Sequence, residues 1–165
     1  MGSRHVSLRR LEAVYRDRYP AFLRVALAML GDRERAHDAV QETFARAIRA
    51  RRGQRGGNVD AWLFAILANH CRDENRRAAP QPVADMSEGQ SLGHVRNGHP
   101  EGWPELRDAV AELPERQRAA VFLRYYADLE YEAIADALGI ERGTVAASLH
   151  AARTKLRTSL KEGDR

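Results

Sequence analysis

The 165-residue chain contains a single cysteine, Cys71. One thiol excludes an internal disulfide framework and a cysteine-built zinc site, and makes the cytoplasm the expected compartment. No run of about 18 apolar residues occurs, so no transmembrane helix is expected. The longest apolar stretch, Phe22 to Leu30, is broken by Arg24 and suits a buried helix. Met1 to Arg10 lacks an apolar segment followed by a small-residue cleavage site, so no signal peptide is expected. Aromatic residues are scarce at 7%, and of the 27 basic residues only Lys155 and Lys161 are lysines. There is no G-x-x-x-x-G-K phosphate loop, no G-x-S-x-G and no H-E-x-x-H. His70, Cys71, Asp73 and Glu74 are close in sequence. A helix spreads positions 70, 71 and 73 over different faces, so they do not converge on one ion. His94 and His99 fall in a segment without helical or strand period. No catalytic residue, metal site, cofactor or small-molecule substrate is expected.

What the chain has in quantity is arginine, and it is unevenly placed. The net charge is +4, and residues 1–78 hold 16 arginines against 9 acidic side chains. Residues 105–136 are net acidic and residues 137–165 net basic. Two separate basic surfaces on one small chain suggest a polyanion touched at two points. Between the halves, residues 79–104 carry Pro80, Pro82, Pro100 and Pro104 with Gly89, Gly93, Gly98 and Gly102. This composition predicts a flexible linker. The expected class is all-α: two small helical domains, residues 1–78 and 105–165, joined by residues 79–104.

In the first half the pattern predicts a helix from Leu8 to Arg18 and a second segment opened by Pro20 and running to Leu30. Gly31 ends it and Asp32 caps the next. Residues 33–51 form an amphipathic helix, with Ala36, Val40, Phe44, Ala47 and Ile48 on one face and Asp38, Glu42 and Arg49 opposite. Gln41 lies at the border. Arg51 to Asn58 is a glycine-rich basic loop, and Asp60 is placed to cap or open a helix over about 60–77. That helix starts apolar (Trp62, Leu63, Phe64, Ile66, Leu67) and ends in a polar stripe of Asn69, Arg72 and Arg76.

The second half carries helix-turn-helix spacing. Ala135 is small enough for two helices to cross closely, and four residues later Gly139 occupies a turn that needs positive φ. Val145 then locks the second helix onto the first, with Ile134, Leu138, Leu149 and Leu156 completing the core stripe. The second helix, about 142–158, would be the recognition helix. It presents Ala147, His150, Thr154 and Arg157, flanked by Arg153 and Lys155, to a major groove.

Taken together, LEAVYRDRYPAFLRVALAMLGDRERAHDAVQETFARAIRA resembles region 2 of the extracytoplasmic-function (ECF) sigma factors of bacterial RNA polymerase. WLFAILANHCRDENRR is similar to the end of that region, and LPERQRAAVFLRYYADLEYEAIADALGIERGTVAASLHAARTKLRTSL looks like region 4. The resemblance implies that Asp38, Gln41 and Glu42, with Arg49 beside them, dock on the clamp helices of the polymerase largest subunit, and that the flap is a further contact. It implies that Arg51, Arg52, Arg55 and Asn58, then Asn69, Arg72, Asp73, Arg76 and Arg77, open the −10 promoter element and hold the non-template strand. It gives −35 recognition to Arg142, Thr144, Ala147, His150, Arg153, Lys155 and Arg157, and an anti-sigma factor as a partner. Few aromatics favour capture of an unstacked base in a pocket over a stacking ladder.

The tether suits two contact points. As a coil its 26 residues span about 25–30 Å, and stretched they reach about 90 Å, against promoter elements roughly 50–70 Å apart. Two features depart from the family. His37 stands where a glutamate is frequent, and Ala146, Ser148 and Ala151 stand where cations are frequent. The second departure predicts weak, shape-driven −35 binding. Two alternatives keep part of the pattern: a stand-alone helix-turn-helix regulator, and a sigma mimic that binds an anti-sigma factor but not DNA.

Overall fold

The computed structural model describes residues 5–54, 57–78 and 104–163. They form seven helices in chain order: α1 (Leu8–Leu30), α2 (Arg33–Ala50), α3 (Val59–Ala78), α4 (Pro104–Ala111), α5 (Glu115–Tyr125), α6 (Tyr131–Leu138) and α7 (Arg142–Gly163). No strand occurs among the described residues. The segment read as a linker lies outside them apart from Pro104, the first residue of α4.

The helix ends follow local chemistry. Ser7 caps α1, its hydroxyl accepting from the Arg10 amide at 3.2 Å. Gly31 closes α1 at φ 69°. Asp32 caps α2 by accepting from the Arg35 amide at 2.8 Å. The cap of α3 is Asn58, which accepts from the Ala61 amide at 3.1 Å. Asp60, expected in that role, lies one residue inside the helix and faces Arg10 and Arg18, each 3.7 Å away.

The break expected at Pro20 does not occur, because α1 runs through it. Proline removes one helical hydrogen bond, at a local cost of about 3 kcal/mol. Val14, Ala21, Phe22 and Val25, on both sides of it, are buried in the same core. Their joint packing outweighs the lost bond.

Helices α1, α2 and α3 pack as one bundle. Phe22 stacks on Phe64 with ring centres 4.0 Å apart, and Phe44 meets Phe22 edge-on at 5.2 Å. Ile48, expected on the buried face of α2, is 42% exposed. In the last turn of the helix the adjacent Ala47, fully buried, faces the core instead. Helices α4 to α7 form the second bundle. Gly139 ends α6 at φ 64°, and Ile134, Ala137, Leu138, Val145 and Leu149 are buried around the turn.

The two bundles also pack on one another. Helix α1 meets α5, α3 meets α6, and one contiguous apolar core includes residues of both halves. Hydrophobic periodicity shows that a face is buried, not which helix covers it, and the sequence pattern does not forecast this contact.

Candidate partner cleft and nucleic-acid faces

Helix α2 exposes Asp38 and Gln41 and half-buries Glu42. These three side chains border a cleft of about 460 Å³ between α2 and α3, with Arg35, His70 and Glu74 on its walls. Glu42 is held in place on its own helix. It accepts from Arg46 Nε at 2.7 Å and from Arg49 at 3.2 Å. The Arg46 hydrogen bond, with Arg49 adding to it, keeps that carboxyl below its ordinary range. Arg49 therefore points along α2 toward Glu42. The mouth of the cleft is acidic on an otherwise basic half of the chain.

His70 was not singled out by the sequence as part of this face. It is 8% exposed, and its Nδ1 has no partner among the described residues. Burial, with Arg46 nearby, pushes the imidazole below its ordinary value against the pull of Glu74 and Glu42, so it is neutral at pH 7. His70 lines the cleft with this ring nitrogen closed off from solvent. Nothing in the sequence could reveal this, since it depends on how α3 rotates against α2. Cys71, next to it, is fully buried, and burial pushes its thiol up to about 12. It serves as a small core residue.

The candidate −10 residues divide into two groups. Arg52, Arg76 and Arg77 are exposed, as is Asn69. Arg51 turns back to the Ile48 carbonyl at 2.7 Å. Arg76 pairs with Asp73 and Arg77 with Glu74 one turn apart. Arg55 lies outside the described residues, and Asn58 is engaged as the α3 cap. Arg72 is engaged across the bundle interface. It donates to the carbonyls of Leu138 and Ala137 at the end of α6 and to the Asn69 side chain.

On α7, Ala147, His150, Arg153, Thr154 and Arg157 are exposed, and Thr144 is half-buried. Arg142 pairs with Glu132 of α6 at 2.8 Å. Lys155 reaches back to the Glu112 carbonyl just past α4, 2.8 Å away. Ser148 is 9% exposed and faces inward. A cation missing there is therefore not a missing DNA contact, whereas Ala146 is exposed and does leave a gap in the basic face. At the other departure, His37 Nδ1 lies 2.6 Å from the Tyr19 hydroxyl, so that position is tied to α1.

The Sigma-70 region 2 family model matches residues 14–80, and the Sigma-70 region 4 model matches residues 104–156. The chain is 36% identical over 141 residues to the ECF RNA polymerase sigma factor EcfG of Rhodopseudomonas palustris, across 83% of this chain and 77% of that protein. It is 32% identical over 165 residues to the ECF RNA polymerase sigma factor SigL of Mycobacterium tuberculosis, across 92% and 89%. Among solved structures, its fold is similar to the sigma factor RpoE of Bartonella quintana in complex with the anti-sigma factor NepR. That match has a TM-score of 0.71 at 23% identity and covers 93% of this chain and 98% of that one. A second is CnrH in complex with the cytosolic domain of CnrY, with a TM-score of 0.67 at 20% identity and coverage of 96% and 92%.

Proposed function

The chain belongs to the ECF sigma factors of bacterial RNA polymerase, and from that membership we propose how its residues divide the work of promoter recognition. A sigma factor is a transcription initiation factor, and its chemistry is binding and strand separation. We assign the first bundle, residues 1–78, to core polymerase and the −10 element, and the second, residues 105–165, to the −35 element. Residues 79–104 act as the tether.

Asp38, Gln41 and Glu42 are the proposed docking set for the clamp helices of the largest subunit. One observation carries this assignment: the three side chains border a single acidic cleft between α2 and α3. A basic helical surface would complement its charge. Arg52, Asn69, Arg72, Arg76 and Arg77 form the proposed −10 stripe, where cations track phosphate and a flipped base is captured. Helix α7 enters the major groove at −35 through Thr144, Ala147, His150, Arg153 and Arg157. The two sigma factors of similar fold were solved with anti-sigma factors, and this chain is proposed to have such a partner. No helix among the described residues is long and apolar enough to cross a membrane, in keeping with work beside polymerase in the cytoplasm.

The test is gel filtration with purified core enzyme. The wild-type chain should co-elute with core, and the triple variant Asp38→Ala/Gln41→Ala/Glu42→Ala should not while keeping its helical content. Equal co-elution of both would refute the docking assignment, and co-elution of neither would favour a free helix-turn-helix regulator.

A further inference from the structure

Helix C-termini leave carbonyls without intrahelical partners and carry partial negative charge. Three arginines satisfy such ends across the interface between the two bundles, and they do so in both directions. Arg118 of α5 is 2% exposed and donates from Nε to the Ala28 carbonyl in the last turn of α1, 2.6 Å away. Arg18 of α1 donates to the Ala127 carbonyl just past α5, at 2.5 Å. Arg72 of α3 donates to the last two carbonyls of α6, those of Ala137 and Leu138. Two lesser contacts lie along the same seam. Arg24 sits 5.0 Å from the ring centre of Tyr126, and Asn75 bridges the Met29 carbonyl and Glu115 at 2.9 and 3.0 Å.

Arg72 has a second use in the reading above, as part of the −10 stripe. Both N–H groups of Nη2 are taken by Asn69 and Ala137 and Nη1 donates to Leu138, so neither two-pronged edge of the guanidinium is free to grip a phosphate. Gly139 adds to the cover, since a Cβ built there would lie 3.3 Å from an Arg72 nitrogen. The turn of the helix-turn-helix thus lies directly on Arg72 of the −10 stripe, whereas promoter elements are roughly 50–70 Å apart. Both elements cannot be engaged in this arrangement.

We infer that the chain by itself is clasped shut by this exchange of arginine caps, with Arg72 withheld from nucleic acid until the bundles part. The withholding rests on the proposed −10 role of α3; the clasp does not. Opening exchanges the α6 carbonyls on Arg72 for phosphate oxygens, so polymerase and promoter favour the open form by binding it alone.

Spin labels on Glu34→Cys and Thr158→Cys, both exposed positions in different bundles, report the separation, and buried Cys71 stays unlabelled. The wild-type background should give one narrow distance distribution. Arg18→Gln/Arg24→Gln touches no residue assigned to polymerase or DNA. It should add a longer, broader population while leaving circular dichroism unchanged, and so should Arg72→Gln. One charged hydrogen bond lost corresponds to about a ten-fold shift in the closing equilibrium. Affinity for fluorescein-labelled (dT)20 should then rise by up to about ten-fold in Arg18→Gln/Arg24→Gln. It should rise less, or fall, in Arg72→Gln, which opens the clasp but loses a phosphate contact. A broad distribution in the wild-type background, or distances unmoved by either variant, would overturn the clasp. Lengthened distances with unchanged (dT)20 affinity in both variants would uphold the clasp and remove Arg72 from the nucleic-acid face.

Discussion

Arg118 on α5 donates to the carbonyl of Ala28 on α1, 90 positions earlier in the chain and 2.6 Å away. The guanidinium also reaches the carbonyls of Ala111 at 2.8 Å and Leu113 at 3.4 Å. One buried cation thus joins the end of α1, the end of α4 and the start of α5. No carboxylate among the described residues forms an ion pair with it; its partners are the negative ends of helices, and burial pushes its pKa below the usual arginine value.

Removing that cation leaves three carbonyls underpartnered in a dry site. Arg118→Ala should destabilise the chain by about 2–4 kcal/mol, combining lost charged hydrogen bonds with a cavity. Urea unfolding followed by circular dichroism measures this. A loss below about 0.5 kcal/mol would mean that water or a neighbour readily replaces the guanidinium.

Gly139 should resist substitution. Its φ of 64° strains any residue with a Cβ, and that Cβ would meet Arg72 at 3.3 Å. Gly139→Ala should cost about 1–2 kcal/mol, read as a lower thermal midpoint. Gly143, whose Cβ would meet nothing within 4 Å, is the control: it lies in α7, where alanine is the better helix former and should be neutral or stabilising.

How far these features could be read in advance depended on their range. The Asp32 cap, the Gly31 and Gly139 turns and the inward Val145 follow from neighbours within a few residues, and the sequence shows them. The polar set Asp38, Gln41, Glu42 is likewise legible as one stripe of one helix. The course of α1 through Pro20 was not, because packing by Phe22 and Val25 is tertiary. The place of His70 in the cleft lining depends on the rotation of α3 against α2. The cap exchange by Arg18, Arg72 and Arg118 joins residues 65 to 109 positions apart, with no periodicity to betray it. Asn58 and Lys155 look like DNA ligands by type and position, yet each satisfies a helix terminus.

His70 predicts an acid-side loss of stability. Its folded pKa lies below the unfolded value of about 6.5. As pH falls through that unfolded value the unfolded chain takes up the proton first, and stability drops until the folded pKa is passed. Above about pH 7.5 His70 contributes no slope. His70→Gln should flatten the dependence between pH 7.5 and the acid limb in urea titrations, whereas an unchanged curve would show that another group carries it.

Binding of region 4 to a −35 duplex should depend only shallowly on salt. Arg142 is paired with Glu132 and Lys155 with the Glu112 carbonyl, which leaves Arg157 and Arg153, whose Nε alone is held by the Leu149 carbonyl at 3.2 Å, as the main phosphate cations of α7. Two or three phosphate contacts give a log–log slope of about −2 to −3. Filter binding at several salt concentrations measures it, and a slope of about −5 or steeper would contradict this count.

The most direct test is run-off transcription from genomic fragments with purified core polymerase. The account predicts transcripts with defined 5′ ends only when this chain is added, and their loss with Asp38→Ala/Gln41→Ala/Glu42→Ala. Core enzyme that gains no promoter-specific transcript from the wild-type chain on any fragment, while the chain binds duplex DNA unaided, would contradict it.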